Sequence, residues 1–268
     1  MMRLLRTKTD QSARNCRDVR PATPWFTEPG MTWLVGLMLT ALPSFAGSSA
    51  GLPVLPERAA NVAGFVPPGW IIEQQLSGNF NRDGRADALV LLRMAPAAAT
   101  PGQAGTNGVA GIPDGSGPHR LSTPRLLAVL IGARNGYELS ASNGRLVPQV
   151  DLVHQEDPMA DGELSVRPGG FEVKLGMTSG VGSYLGAVLH YRFRHQNGCF
   201  RLIGYDRLET HRATLDTQDL SVNFLTGAVV HTTGNAQSDA TQVRRERLAV
   251  NPRRCLQELD SAVDFKPF

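Results

Sequence analysis

The sequence predicts a mainly β protein: a single antiparallel β-rich domain, a sandwich or a curved sheet, with little helix and without the repetition of a propeller. Three observations predict it. Apolar and polar residues alternate with a period of two at residues 171–175 and 189–194, the pattern of strands with one packed and one wet face. Asn-Gly pairs at 135–136, 143–144 and 197–198 punctuate the chain, and this dipeptide favours the tight reversals of hairpins. Helical spacing is weak everywhere except around residues 255–262.

The chain of 268 residues opens with a basic leader, the mostly apolar run 33–42, Pro43 and the small-residue pattern Ser44-Phe45-Ala46. That order is the pattern of a secretory signal peptide cleaved after Ala46. Residues 1–46 are therefore expected to be removed, and the protein to be periplasmic or secreted. An apolar run of about ten residues is half of what a spanning helix needs, so no permanent membrane anchor is expected. The leader holds six basic and three acidic residues, which leaves 21 of each in the remainder of the chain. A neutral mature chain lacks the electrostatic footprint of a nucleic-acid binder. Cys199 and Cys255 are an even pair downstream of the signal and are expected to form a disulfide in an oxidising compartment.

Residues 47–64 read as a mobile lead-in, with one helical turn near residues 57–61, and the β-rich domain is expected over 65–268. Pro67-Pro68-Gly69 sets a turn before Trp70. Residues 71–76 and 86–92 read as strands; the second is apolar without interruption and is expected to be central and buried on both faces. Residues 95–124 are rich in Ala, Gly, Pro, Thr and Ser and are expected to form a disordered insertion. Residues 126–131 and 137–140 form a hairpin around Asn135-Gly136. Strands at 189–194 and 199–205 follow around Asn197-Gly198, and a last hairpin at 222–225 and 228–231 turns at Thr226-Gly227.

The loop from Asn79 to Asp87 carries the clearest site signal. Oxygen side chains stand at relative positions 1, 3, 5 and 9 (Asn79, Asn81, Asp83, Asp87), with Gly84 at position 6. This is the opening of an oxygen-ligated calcium loop, with the Arg85 carbonyl as the ligand at position 7. Two formal charges and Val90 in place of a bidentate glutamate at position 12 imply weak Ca²⁺ binding. The alternative for the same residues is a metal-free turn held by side-chain to backbone hydrogen bonds.

These residues also resemble the N-x-D-G-x-x-D core of FG-GAP and VCBS-type repeats, with Asn79 where that pattern has Asp. A single copy implies a borrowed loop rather than a propeller. Together with residues 65–70, the stretches 191–194, 200–206 and 221–227 make most of residues 65–230 similar to a family of uncharacterised exported bacterial proteins. The resemblance implies a location and a fold class, and no catalytic residue.

Enzyme motifs dissolve on inspection. Residues 47–51 spell G-x-S-x-G without the strand and helix of a nucleophile elbow, and the glycine-rich residues 180–186 lack a βαβ frame. His119, His154, His190, His195, His211 and His231 have no metal-ligand spacing. His190 shares the polar face of its strand with Arg192 and Arg194, while Arg244, Arg245, Arg247, Arg253 and Arg254 make the densest basic run. The first suits a solvated face, or a patch for an anion or an acidic partner, and the second a solvated surface or an acidic partner. The expectation is a non-enzymatic binding module for a protein or an envelope glycan. The alternatives are an envelope hydrolase whose carboxylates meet only in the fold, or an inhibitor of another secreted protein.

Overall fold

Thirteen residues of uninterrupted apolar character in two neighbouring stretches, 88–92 and 126–133, have to be covered on both faces, and the architecture is organised around them. The computed structural model describes residues 51–96, 120–180 and 183–268. The expected signal segment and the centre of the expected insertion lie outside the described residues.

Among the described residues twelve strands form two antiparallel sheets, neither closed into a barrel or a propeller. The smaller has the order β1-β5-β4-β3-β2, with β1 Arg58–Ala59, β2 Trp70–Gly78, β3 Asp87–Met94, β4 Arg125–Ala133 and β5 Gly136–Asn143. The larger is a meander in chain order: β6 Glu163–Arg167, β7 Gly170–Thr178, β8 Leu185–Gln196, β9 Cys199–His211, β10 Asp216–Asn223, β11 Ala228–Asn235 and β12 Ser238–Arg247.

The small sheet is the middle layer. Leu89, Leu91, Leu127 and Val129 face the large sheet and meet Phe171, Val173, Leu189, Tyr191 and Phe200. Ala88, Val90, Leu92, Ala128 and Leu130 face the other way, onto Leu55, Val62, Phe65 and Trp70. Residues 51–64 therefore pack as a third layer rather than trailing as a mobile lead-in. Arg58 and Ala59 pair with Glu138 and Tyr137, and Leu139 N–H donates to the Glu57 carbonyl at 2.8 Å. The helical turn expected at 57–61 is displaced to a short 3₁₀ turn, Val62–Phe65, capped by the Asn61 side chain.

The large sheet alternates as expected. Asn197 (φ 52°) and Gly198 (φ 74°) turn β8 into β9, the left-handed pair that matches the twist of a two-residue hairpin. Three expectations are corrected. Phe224 and Leu225 belong to the turn after β10, although Phe224 is buried. Helix at 255–262 reduces to a 3₁₀ turn at Leu256–Glu258. Residues 120–124 belong to the fold: Leu121 bridges to Asp151 and Ser122 is buried.

The carboxy-terminal segment closes the gap between the sheets with Leu256, Leu259, Ala262 and Phe265, all buried. Side-chain hydrogen bonds and a covalent link help to hold it. Asn143 Nδ2 donates to the Leu256 and Leu259 carbonyls at 2.6 and 2.9 Å, and Cys199 is joined to Cys255 with Cα atoms 5.9 Å apart. The disulfide spans 56 residues, so its reduction is expected to lower stability by about 2–4 kcal/mol. Urea melts of the oxidised and reduced protein measure this; coincident midpoints would mean that the segment holds without the covalent link.

Candidate functional site

The loop between β2 and β3 is built from the inside outward. Phe80 is fully buried, and its ring meets Phe171 and Phe200 edge-on at 6.0 and 6.2 Å. Asp87, also fully buried, accepts from Phe80 N–H at 2.6 Å and Asn81 N–H at 3.4 Å through Oδ2. Its Oδ1 accepts from Gly132 N–H at 2.9 Å. Gly132 has to be glycine, because a Cβ there would collide with the Ala86 carbonyl. Asp87 thus fastens the loop to β4.

The outer half of the loop is a chain of Asx turns. Asn81 Oδ1 accepts from Asp83 N–H at 3.0 Å, Asn81 Nδ2 donates to Asp83 Oδ2 at 3.0 Å, and Asp83 Oδ1 accepts from Arg85 N–H at 2.8 Å. The Arg85 amide, then the Asn81 side chain, hold the Asp83 carboxyl below its ordinary range. Arg82 (φ 63°) reaches across to the β6–β7 turn, where its guanidinium lies over Gly169 and donates to the Pro168 carbonyl at 3.4 Å. Of the expected oxygen donors, Asn79, Asp83 and Arg85 are exposed and Asn81 is half-buried. Asp87 does not fit as arranged, being turned inward with both oxygens on backbone amides. Among the described residues no group of three His, Cys, Asp or Glu side chains gathers at one point.

The second candidate lies on the outer face of the large sheet. Cross-strand pairing brings His190 opposite Asp206 and Asp206 opposite Ser221. One row along, Glu172 stands opposite Arg192 and Arg192 opposite Gly204. Because Gly204 has no side chain, the Arg192 guanidinium lies across it and reaches Asp206 at 2.8 Å. The other Asp206 oxygen accepts from the Ser221 hydroxyl at 2.6 Å. Arg167 pairs with Glu172 at 2.8 Å. These charges surround a shallow hollow of about 490 Å³ that also takes in Leu208 and Asp219. Leu208 is 43% exposed, and burial, then the Asp206 charge, raises the Asp219 carboxyl above its ordinary range.

The expected polar face of His190 and Arg192 is therefore present, but the sequence did not single out Asp206, Asp219, Ser221 or Glu172. Their signal is the register between β9 and β10, which no local pattern carries. Chemically, Ser221 gives its hydrogen bond to Asp206, so this row does not form a nucleophile activated by histidine. His119 lies outside the described residues; of the others, His231 pairs with Glu246 at 2.8 Å. Arg244, Arg245 and Arg247 lie on edge strand β12, exposed along its whole length.

A larger groove of about 690 Å³ runs beside Trp70, Met94, Arg145 and Asp260. Its Arg125 wall is closed by ion pairs to Glu73 and Asp157.

The fold and site define a three-layer, disulfide-closed antiparallel β protein with a charged sheet face. No family model, curated protein or solved structure matches the chain. Among the described residues no helix is long and apolar enough to cross a membrane.

Proposed function

We propose that the chain is an exported, non-enzymatic binding module that meets its partner through the outer face of the large sheet. The observation that carries this reading is the exposed Leu208 inside a ring of charges already paired with one another. An apolar centre with a polar rim is how protein interfaces are built, and the two ion pairs of the rim, Arg167–Glu172 and Arg192–Asp206, are the kind of charges that set register and partner choice. Among the described residues no Phe, Tyr or Trp lines the hollow, which favours a protein over an envelope glycan, since sugars are commonly held by stacking on such rings. The likeness to exported proteins, the signal pattern and the Cys199–Cys255 pair support a periplasmic or secreted setting. Weak calcium binding at Asn79, Asn81, Asp83 and the Arg85 carbonyl belongs to the same proposal, without Asp87.

The test is retention of envelope and culture-fluid components by the immobilised oxidised protein and by a Leu208→Glu variant. The expected result is a component held by the parent and reduced at least tenfold by the variant. Equal retention by both proteins, or by neither, would overturn the reading.

One observation favours a hydrolase instead. Burial and then the Asp206 charge raise the Asp219 carboxyl above its ordinary range, while neighbouring Asp206 is paired with Arg192 and accepts from Ser221, and two carboxylates in different environments are what paired catalytic acids use. Turnover of an envelope polymer that disappears in Asp219→Asn and survives in Leu208→Glu would replace the binding reading with this one.

A further inference from the structure

A second feature of the outer face lies nearer the Cys199 end and is independent of the hollow around Leu208. Arg194 of β8 stands directly opposite Arg201 of β9. Phe193, Phe200 and Leu202 are buried in the core, so strand alternation turns both arginines to the outer face. Both are half-buried there. The row continues to Gly170 on one side, which contributes no side chain, and to Cys255 on the other.

Like charges directly opposite each other in a sheet repel, and carboxylates normally intervene. Here the neighbouring carboxylates are engaged elsewhere: Glu172 with Arg167 and Asp206 with Arg192, each at 2.8 Å, while Glu258, beside the row, accepts from Cys255 N–H at 2.7 Å. Among the described residues neither Arg194 nor Arg201 has an ion-pair partner, and Arg201 Nε is shielded from solvent without any acceptor. A guanidinium donor left unsatisfied in this way costs free energy unless a ligand supplies the acceptor.

We infer that Arg194 and Arg201 form a clamp for a tetrahedral oxyanion, phosphate or sulfate. Two guanidinium forks from adjacent strands can each present paired N–H groups to such an anion, which offers enough oxygens for both. The anion removes the repulsion between the two arginines and fills the vacant acceptor position at Arg201 Nε. It is either a free inorganic ion or a group carried on a polymer.

Thermal melts of the oxidised protein test this in sodium phosphate, sodium sulfate and sodium chloride at matched ionic strength. Phosphate or sulfate at ten times the dissociation constant is expected to raise Tm by about 3 °C over chloride. Arg194→Gln and Arg201→Gln are expected to lose that rise while melting in chloride at or above the parent, because each relieves the repulsion. Arg194→Lys, which keeps the charge but not the fork, is expected to require about tenfold more phosphate. A polyphosphate arm separates the sources: an onset at tenfold lower phosphate-group concentration assigns a polymer, and an equal onset assigns the free ion. A rise of equal size in chloride, no rise with either anion, or a rise kept in both Gln variants would overturn the clamp.

Discussion

Arg125→Ala is expected to lower the unfolding free energy by about 3–5 kcal/mol, the range for breaking a buried charge network by removing one partner. Arg125 Nε and Nη2 donate to Glu73 at 2.6 and 2.8 Å, and Nη1 and Nη2 donate to Asp157 at 2.8 and 2.9 Å. The arginine side chain is 5% exposed, and the carboxylates 21% and 28%. Burial works against the guanidinium charge, but its hydrogen bonds to Glu73 and then Asp157 outweigh it and raise its pKa above the ordinary value. Truncation leaves two carboxylates facing each other across the vacated space. A triple variant, Glu73→Gln with Arg125→Met and Asp157→Asn, removes all the charges at once and is expected to recover at least half of the loss, since a fully apolar or neutral substitute often matches a buried pair. Urea denaturation measures both. A loss below about 1 kcal/mol for Arg125→Ala would mean that water screens the network as it screens a surface pair.

That network shows why part of this fold was readable from sequence and part was not. Strands β3 and β4 were legible because a middle layer needs apolar residues on both faces, and the run 88–92 can be nothing else. The β8–β9 hairpin was legible because period-two alternation and Asn197-Gly198 agree. Glu73, by contrast, sits at a bulge where the β2–β3 register slips between Ile72 and Gln74, and its partner Arg125 lies 52 residues away, with Asp157 a further 32 residues along the chain. No local pattern announces a bulge or the distant charge that it serves. Strand β12 was missed for a related reason. Every one of its residues is exposed, so it shows no contrast between faces, and its arginines read as a basic run rather than as a strand. The outer-face cluster was half visible: alternation put His190 and Arg192 on one face, whereas Asp206 and Ser221 join them only through pairing.

Asp87→Ala is expected to cost about 3–5 kcal/mol, because it orphans the N–H groups of Phe80, Asn81 and Gly132 at once and a buried donor left without an acceptor costs about 1–3 kcal/mol. Asp83→Ala, on the exposed side of the same loop, is expected to melt in EDTA close to the parent, as surface changes usually do. The contrast separates the two roles that the loop's sequence allows. If backbone amides hold Asp87, its loss is felt fully in EDTA and calcium does not alter it. If calcium is bound by Asn79, Asn81, Asp83 and the Arg85 carbonyl, millimolar calcium raises the melting temperature of the parent and not of Asp83→Ala, since a loop presenting one outward carboxylate binds only at the weak end of extracellular calcium sites. Coincident parent curves in EDTA and calcium would remove the ion from the proposal and leave a turn closed by its own hydrogen bonds. An Asp87→Ala variant as stable as the parent in EDTA, yet without any response to calcium, would reverse the assignment: the carboxylate would then be a ligand first, and its amide bonds secondary to the metal.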